Sequence, residues 1–119
     1  MSRFAHRIRP SVRRELAAAD RAEARGEPQL AFHHLERAHV LGQAATTEHV
    51  RVHLRMFLWA TRHRKPGEAF GQLWRIAAAA LKTGFGWVPQ GNTGGAGVNG
   101  LRRMPIPPDL QTILDDARR

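Results

Sequence analysis

The segment PQLAFHHLER, residues 28–37, decides the fold because its outline recurs 38 residues later as PGEAFGQLWR, residues 66–75. The proline, alanine, phenylalanine, leucine and arginine stand at the same places in both segments. Apolar residues spaced three and four apart are typical of one face of a helix, and proline is favoured in a first helical turn. The repeat therefore predicts a helix in each segment and one structural unit used twice.

The repeated unit is predicted to be a hairpin of two helices. Each repeated helix follows another segment with a helical apolar pattern, and glycines stand where three of the four helices would end. The chain is thus predicted to be all-α, with hairpin A–B followed by hairpin C–D. The predicted helices are A from about Pro10 to Gly26, B from Pro28 to Leu41, C from a cap at Thr46 or Thr47 to Arg62, and D from Pro66 to Lys82.

The two parts of the chain are predicted to play different roles. Residues 1–84 would form the four-helix bundle. Residues 85–119 would form a loop rich in glycine and proline and a short C-terminal helix, capped by Asp109, whose apolar stripe packs on the bundle. Because an open array of repeats usually needs three units, a compact bundle or a homodimer is expected. The first hairpin resembles a tetratricopeptide repeat at the small and apolar positions Leu16, Ala19, Gly26, Ala31 and Ala38.

Composition restricts the classes of function. The 119-residue chain carries a net charge of +9 and has no cysteine, which excludes disulfides, thiolate metal sites and thiol nucleophiles. Because the arginines are spread along the whole chain, the charge favours a solvated surface over a nucleic-acid footprint, although nucleic acid is not excluded. No stretch is apolar enough to span a membrane, and no apolar segment follows the basic N-terminus, so a cytoplasmic protein is expected.

Three histidines and one glutamate are the predicted metal ligands. His49 and His53 are four residues apart on helix C, so they lie on one face and can share one ion. Glu36 and His39 are three apart on helix B, a spacing by which helical bundles supply two ligands. The short link between the helices brings His39 towards the other two histidines. Such donors suit zinc, copper or iron, with Glu36 as fourth ligand or as the acceptor that orients His39.

Other residues of the same faces are interpreted as structural. A histidine on an apolar face is more often a hydrogen-bonded core residue than a ligand, and this interpretation is preferred for His34 and His63. Met56 is interpreted as a core residue. A structural interpretation is also the alternative for His39, His49 and His53. In this alternative they form a buried polar network in which Glu36 orients His39.

Three functions follow from these predictions. The preferred one is metal binding, for metal handling or sensing, at a histidine-rich site between helices B and C. The second is a metal-dependent enzyme, hydrolytic or oxygen-activating, with Glu36 or Glu15 as base. The third is a tetratricopeptide-like module that binds an acidic peptide or nucleic acid.

Four motifs resemble those of a bacterial family catalogued as a domain of unknown function. The resemblance spans nearly the whole chain. Genes of that family often lie near metal-resistance genes, so the resemblance implies a role in metal handling and supplies no reaction. The motifs are LERAHVLGQ at residues 35–43, His49-x-Arg51-x-His53-x-x-Met56, GNTG at residues 91–94 and MPIP at residues 104–107.

Overall fold

The computed structural model describes residues 2–84, 93–95 and 103–119, with side chains in the fourth helix up to residue 78. These ranges contain helices and no strand, which confirms the predicted all-α fold. Most of the predicted glycine-rich loop, residues 85–92 and 96–102, lies outside the described residues. The helices are α1 (Arg3–Ala24), α2 (Pro28–Gly42), α3 (Thr46–Arg62), α4 (Pro66–Gly84) and α5 (Pro108–Arg118).

The helices form two antiparallel hairpins, α1–α2 and α3–α4, which meet where α2 packs on α3. Helix α5 contacts α1 and α2, where its Leu110 and Leu114 are buried. Arg37 on α2 also donates to Asp109 at the start of α5, with 2.5 Å between Nη2 and Oδ2. No helix in the described residues combines the length and apolarity needed to cross a bilayer. The core side chains larger than alanine include Ile8, Val12, Leu16, Leu35, Leu41, Val52 and Met56 from α1, α2 and α3, together with Leu110 and Leu114 from α5.

Both hairpins turn through the same backbone motif. After α1, the Glu27 N–H donates to a carbonyl five residues earlier at 2.9 Å, and Gly26 has a φ of +73°. After α3, the Lys65 N–H makes the corresponding bond at 2.8 Å, and Arg64 has a φ of +56°. This ending requires one residue in the left-handed backbone conformation after the last helical turn. That conformation is strained for a residue with a Cβ atom and unstrained for glycine. The second hairpin therefore carries a backbone strain that the first avoids.

The start of helix A predicted at Pro10 is wrong, because α1 begins at Arg3. The Ser2 hydroxyl accepts a hydrogen bond from the Ala5 N–H at 3.0 Å and so caps the additional turns. Ile8 within those turns is completely buried. Burial and capping therefore outweigh the helical hydrogen bond that Pro10 cannot donate.

The predicted caps of two other helices are also wrong. Ala45, rather than Thr46 or Thr47, precedes α3, and Pro107, rather than Asp109, precedes α5. Neither residue caps its helix with a side-chain hydrogen bond. Ala45 is buried in the bundle at 3% exposure, so packing sets the start of α3.

Candidate metal centre

Three imidazoles converge at the junction of the two hairpins. His39 comes from the last turns of α2, and His49 and His53 come from consecutive turns of α3. The Nε2 atom of His39 lies 2.9 Å from that of His49 and 3.1 Å from that of His53, and the remaining pair is 3.2 Å apart. All three side chains are buried. Among the described residues, these three form the one group of potential ligands close enough to hold an ion.

Ion pairs between buried Glu48 and two partly exposed arginines position the first turn of α3. Glu48 is 1% exposed and accepts from Arg9 Nε at 3.1 Å and from Arg51 Nη1 at 3.3 Å. A Cβ atom on Gly42 would lie 3.1 Å from the Cβ of Glu48, so the end of α2 and the start of α3 approach closely. The ion pair ties α1 to α3 one residue before His49 and thereby fixes the backbone that carries this imidazole.

Gln72, on α4, accepts a hydrogen bond from one ring and so places a hydrogen on Nδ1 of His53. Its Nε2 donates to Glu68 Oε1 at 3.0 Å and to the Gly94 carbonyl at 2.9 Å, so both amide hydrogens are used. Its Oε1 lies 2.5 Å from His53 Nδ1 and must accept. In a neutral imidazole whose Nδ1 carries the hydrogen, Nε2 bears a lone pair. His53 therefore directs a lone pair at the other two histidines, as a metal ligand must.

The close triangle of nitrogens is unfavourable for the imidazoles alone. Two ring nitrogens attract when one carries a hydrogen and the other a lone pair. Three nitrogens in mutual contact cannot satisfy this condition for all three pairs, so at least one pair of like groups repels. A cation bonded to all three nitrogens removes the conflict, because each lone pair then points at positive charge.

A short described segment, Thr93–Gly95, covers the ring of His39. Gly94 has a φ of +83°, and a Cβ at this position would lie 2.5 Å from Cδ2 of the His39 ring. Only glycine allows the backbone to approach the imidazole this closely. The Gly94 carbonyl is held by Gln72, so one amide side chain orients His53 and also anchors the segment that covers His39.

Glu36, the fourth predicted ligand, lies outside the histidine group. Its carboxylate accepts a hydrogen bond from the Thr93 side chain and lies 3.9 Å from His33 Nδ1. Burial raises the pKa of the Glu36 carboxyl, and the Glu68 carboxylate adds to this effect, whereas His33 and Thr93 oppose it. The role of Glu36 as a ligand, or as an acceptor for His39, stays a prediction.

The histidines interpreted as structural are hydrogen-bonded away from the cluster, as predicted. His34 Nδ1 lies 2.8 Å from Glu15 Oε2, and His63 Nε2 contacts Glu23 Oε1. Glu15, the alternative base, is thus engaged in a contact between α1 and α2. Met56 is completely buried, which confirms its interpretation as a core residue.

Gln72 and Gly94 are parts of the site that sequence reasoning missed. For Gln72 a signal exists, because the 38-residue offset relates Gln72 to His34 and His53 to Glu15. His34 and Glu15 join the helices of the first hairpin, and Gln72 and His53 join those of the second at the corresponding place. Gly94 is the last residue of the GNTG motif, but the motif does not indicate that this glycine packs on a ring of a distant helix.

Comparison with known proteins provides a family and no activity. The chain belongs to the family described as "Protein of unknown function (DUF3703)", which matches residues 6–114. Neither a search of curated proteins nor a search of solved structures found a match. The predicted resemblance to a domain of unknown function is confirmed to this extent, and any functional conclusion depends on the geometry of the site.

Proposed function

We propose that this member of the DUF3703 family binds one transition-metal ion through His39, His49 and His53, for metal handling or sensing. One observation carries the proposal: three buried Nε2 atoms lie within 3.2 Å of one another. Imidazole nitrogen is a preferred donor for zinc, copper and iron, and the chain has no cysteine to compete as a softer ligand.

The nitrogen triangle has a suitable size for a single ion. Because a zinc–imidazole bond is about 2.0–2.1 Å long, nitrogens 2.9–3.2 Å apart could all bind the same ion. Neutral imidazoles would leave the positive charge of the ion uncompensated, which favours an additional oxygen or anionic ligand.

Glu36 is the proposed source of that additional ligand, or the acceptor that orients His39. It lies one helical turn before His39 on α2. Its hydrogen-bond partner Thr93 directly precedes Gly94, which packs on the His39 ring. The hydrogen bond with Thr93 thus links the Glu36 carboxylate to the segment that covers the His39 ring.

Elemental analysis of the untagged protein tests the proposal. We expect about one zinc, copper or iron ion per chain after purification or after loading with each metal and dialysis. The double variant His49→Ala, His53→Ala removes two of the three donors and should lose the ion. His34→Ala is the matched control, because His34 is a partly buried histidine bonded to Glu15 outside the cluster.

The proposal is judged by comparing the metal content of the double variant with that of the His34→Ala control. Loss of metal by the double variant and retention by His34→Ala support the proposal, provided that far-UV circular dichroism shows helical folds in both. Unchanged metal content in the double variant contradicts it. An equal loss in the two variants also contradicts it, because the loss would then follow destabilisation rather than removal of ligands.

A metal-dependent enzyme is the second candidate. The observation that favours it is the number of grouped donors, three in the described residues, which is typical of catalytic zinc sites that keep one position for water or substrate. Cobalt(II) loading distinguishes the candidates, since an accessible position lets added azide change the visible spectrum. A spectrum insensitive to azide would favour a closed binding site.

A further inference from the structure

The outer face of α4 carries an apolar stripe. Phe70 and Trp74 are 76% and 77% exposed, and Leu73 is 51% exposed. With Ala77 they occupy positions i, i+3, i+4 and i+7 of the helix, which form one continuous face. Phe70 and Trp74 alone leave on the order of 300 Å² of ring surface in water, comparable with the largest apolar patch of an ordinary monomer.

The repeat indicates what this face is suited to pack against. Phe70 and Leu73 correspond to Phe32 and Leu35 of the first hairpin. There, the Phe32 ring lies 4.5 Å from the Trp59 ring on the following helix, α3, and Leu35 is 3% exposed. Among the described helices, α4 contacts α3 alone. The stripe therefore has the form of a helix–helix interface whose second helix is not supplied by the described part of the chain.

We propose that this stripe binds the same stripe of a second copy of the chain, as an antiparallel helix pair about a two-fold axis. With the axis between Leu73 and Trp74, Leu73 of each copy faces Trp74 of the other. Phe70 of each copy then faces Ala77 of the other. Large side chains meet small ones at both ends of the stripe, so the helices can approach closely. This self-complementarity favours a second copy over an unrelated helix.

Electrostatics gives the interface a recognisable dependence on salt. The net charge of +9 makes two copies repel, whereas the four residues of the stripe carry no charge. Added salt screens the repulsion and leaves the apolar contact in place, so the dimer should become tighter as salt rises. An acidic peptide or nucleic acid bound by the arginines would instead dissociate with salt.

Sedimentation velocity of the full chain, from micromolar to hundreds of micromolar, tests the proposal. We expect a reversible monomer–dimer equilibrium whose dissociation constant falls with sodium chloride. Leu73→Glu should raise this constant at least about tenfold, since it places a charge at the centre of the interface. Leu58→Glu is the matched control: Leu58 is 50% exposed, like Leu73 at 51%, but it borders α1 instead of the outer face of α4.

A second experiment keeps the test decisive if Leu73→Glu unfolds the helix. Because the chain has no cysteine, Trp74→Cys introduces a single thiol near the proposed axis. Under mild oxidation it should form disulfide-linked dimers much faster than Leu58→Cys. The proposal is overturned by a wild-type protein that is monomeric at every concentration and salt, by equal cross-linking of the two cysteine variants, or by equal weakening by the two glutamate variants.

Discussion

His53 Nδ1 lies 2.5 Å from Gln72 Oε1, and this contact decides which nitrogen of His53 faces the other imidazoles. It also adds α4 to a site whose histidines come from α2 and α3. An amide acceptor fixes the tautomer without adding negative charge, whereas a carboxylate would raise the basicity of the ring and favour its protonation. Gln72, from the second hairpin, thus orients one of the three imidazoles.

Gln72→Leu should weaken metal binding about 10–100-fold, the usual effect of losing an outer partner of a histidine ligand. Leucine has a similar size and cannot accept from His53 Nδ1, so the ring is free to place its hydrogen on Nε2. Titration calorimetry with zinc measures the affinity, and Gln29→Leu, an exposed change on α2, is the control. Equal affinities for the two variants would mean that Gln72 has no part in orienting the ring.

Gly94→Ala should lower the metal affinity more than Gly95→Ala. At Gly94 a Cβ would lie 2.5 Å from the His39 ring, and the φ of +83° is strained for alanine. At Gly95 the nearest atoms, on Glu68 and Phe32, are at least 3.6 Å away, an ordinary contact distance. Zinc titrations of both variants give the comparison. If alanine is tolerated equally at both positions, the covering segment does not constrain His39.

Glu36→Gln should stabilise the metal-free fold at neutral pH and have less effect in acid. The pKa of Glu36 is raised in the folded chain, chiefly by burial, so the folded chain holds this proton more tightly than the unfolded chain. The resulting stability is fully present below the ordinary value of 4.5 and is lost as the pH rises through the folded pKa. Glutamine remains uncharged throughout and can still accept from Thr93.

Urea unfolding in the presence of a chelator measures this difference across pH. The gap in the free energy of unfolding between Glu36→Gln and the wild type should widen as the pH rises from about 4 to 7. A gap that stays constant over this range would show that burial of the Glu36 carboxylate does not oppose its ionisation. Zinc titration of the same variant tests the proposed role of Glu36 at the metal.

Arg64→Gly should raise the free energy of unfolding by about 1 kcal/mol, because a left-handed conformation costs a side chain roughly that amount. The reverse change at the corresponding position, Gly26→Ala, should lower it by a similar amount. No atom lies within 4 Å of the Cβ that Gly26 would gain, so this change reports on the backbone alone. Chemical unfolding measures both; a loss of stability in Arg64→Gly would mean that the arginine side chain contributes more than its backbone strain costs.

The 38-residue repeat was sufficient to predict both hairpins, because Pro28 and Pro66 open helices whose apolar spacing is unambiguous. The start of α1 was not predictable in the same way. Proline is most often a first-turn residue, and only the burial of Ile8 in a tertiary contact shows why the helix continues through Pro10. The local sequence therefore predicted where the helices lie, whereas long-range packing determined the residue at which α1 begins.

The three histidines were predictable because helical spacing and a short connection determine which side chains meet. Their orientation was not, since it depends on Gln72 from another helix and on Gly94 from a distant segment. Such contacts leave no pattern in the local sequence. The repeat does carry information about Gln72. The 38-residue offset relates the contact between Gln72 and His53 to the contact between His34 and Glu15 in the first hairpin.

The position of the histidine cluster has a mechanical consequence. Its imidazoles lie in the α2–α3 contact, and the contact between neighbouring units is what sets the angle between them in repeat proteins. An ion bonded to all three nitrogens would therefore also join the two hairpins across the surface on which they meet. One of these hairpins, α1–α2, carries α5, and the other, α3–α4, carries the exposed apolar face.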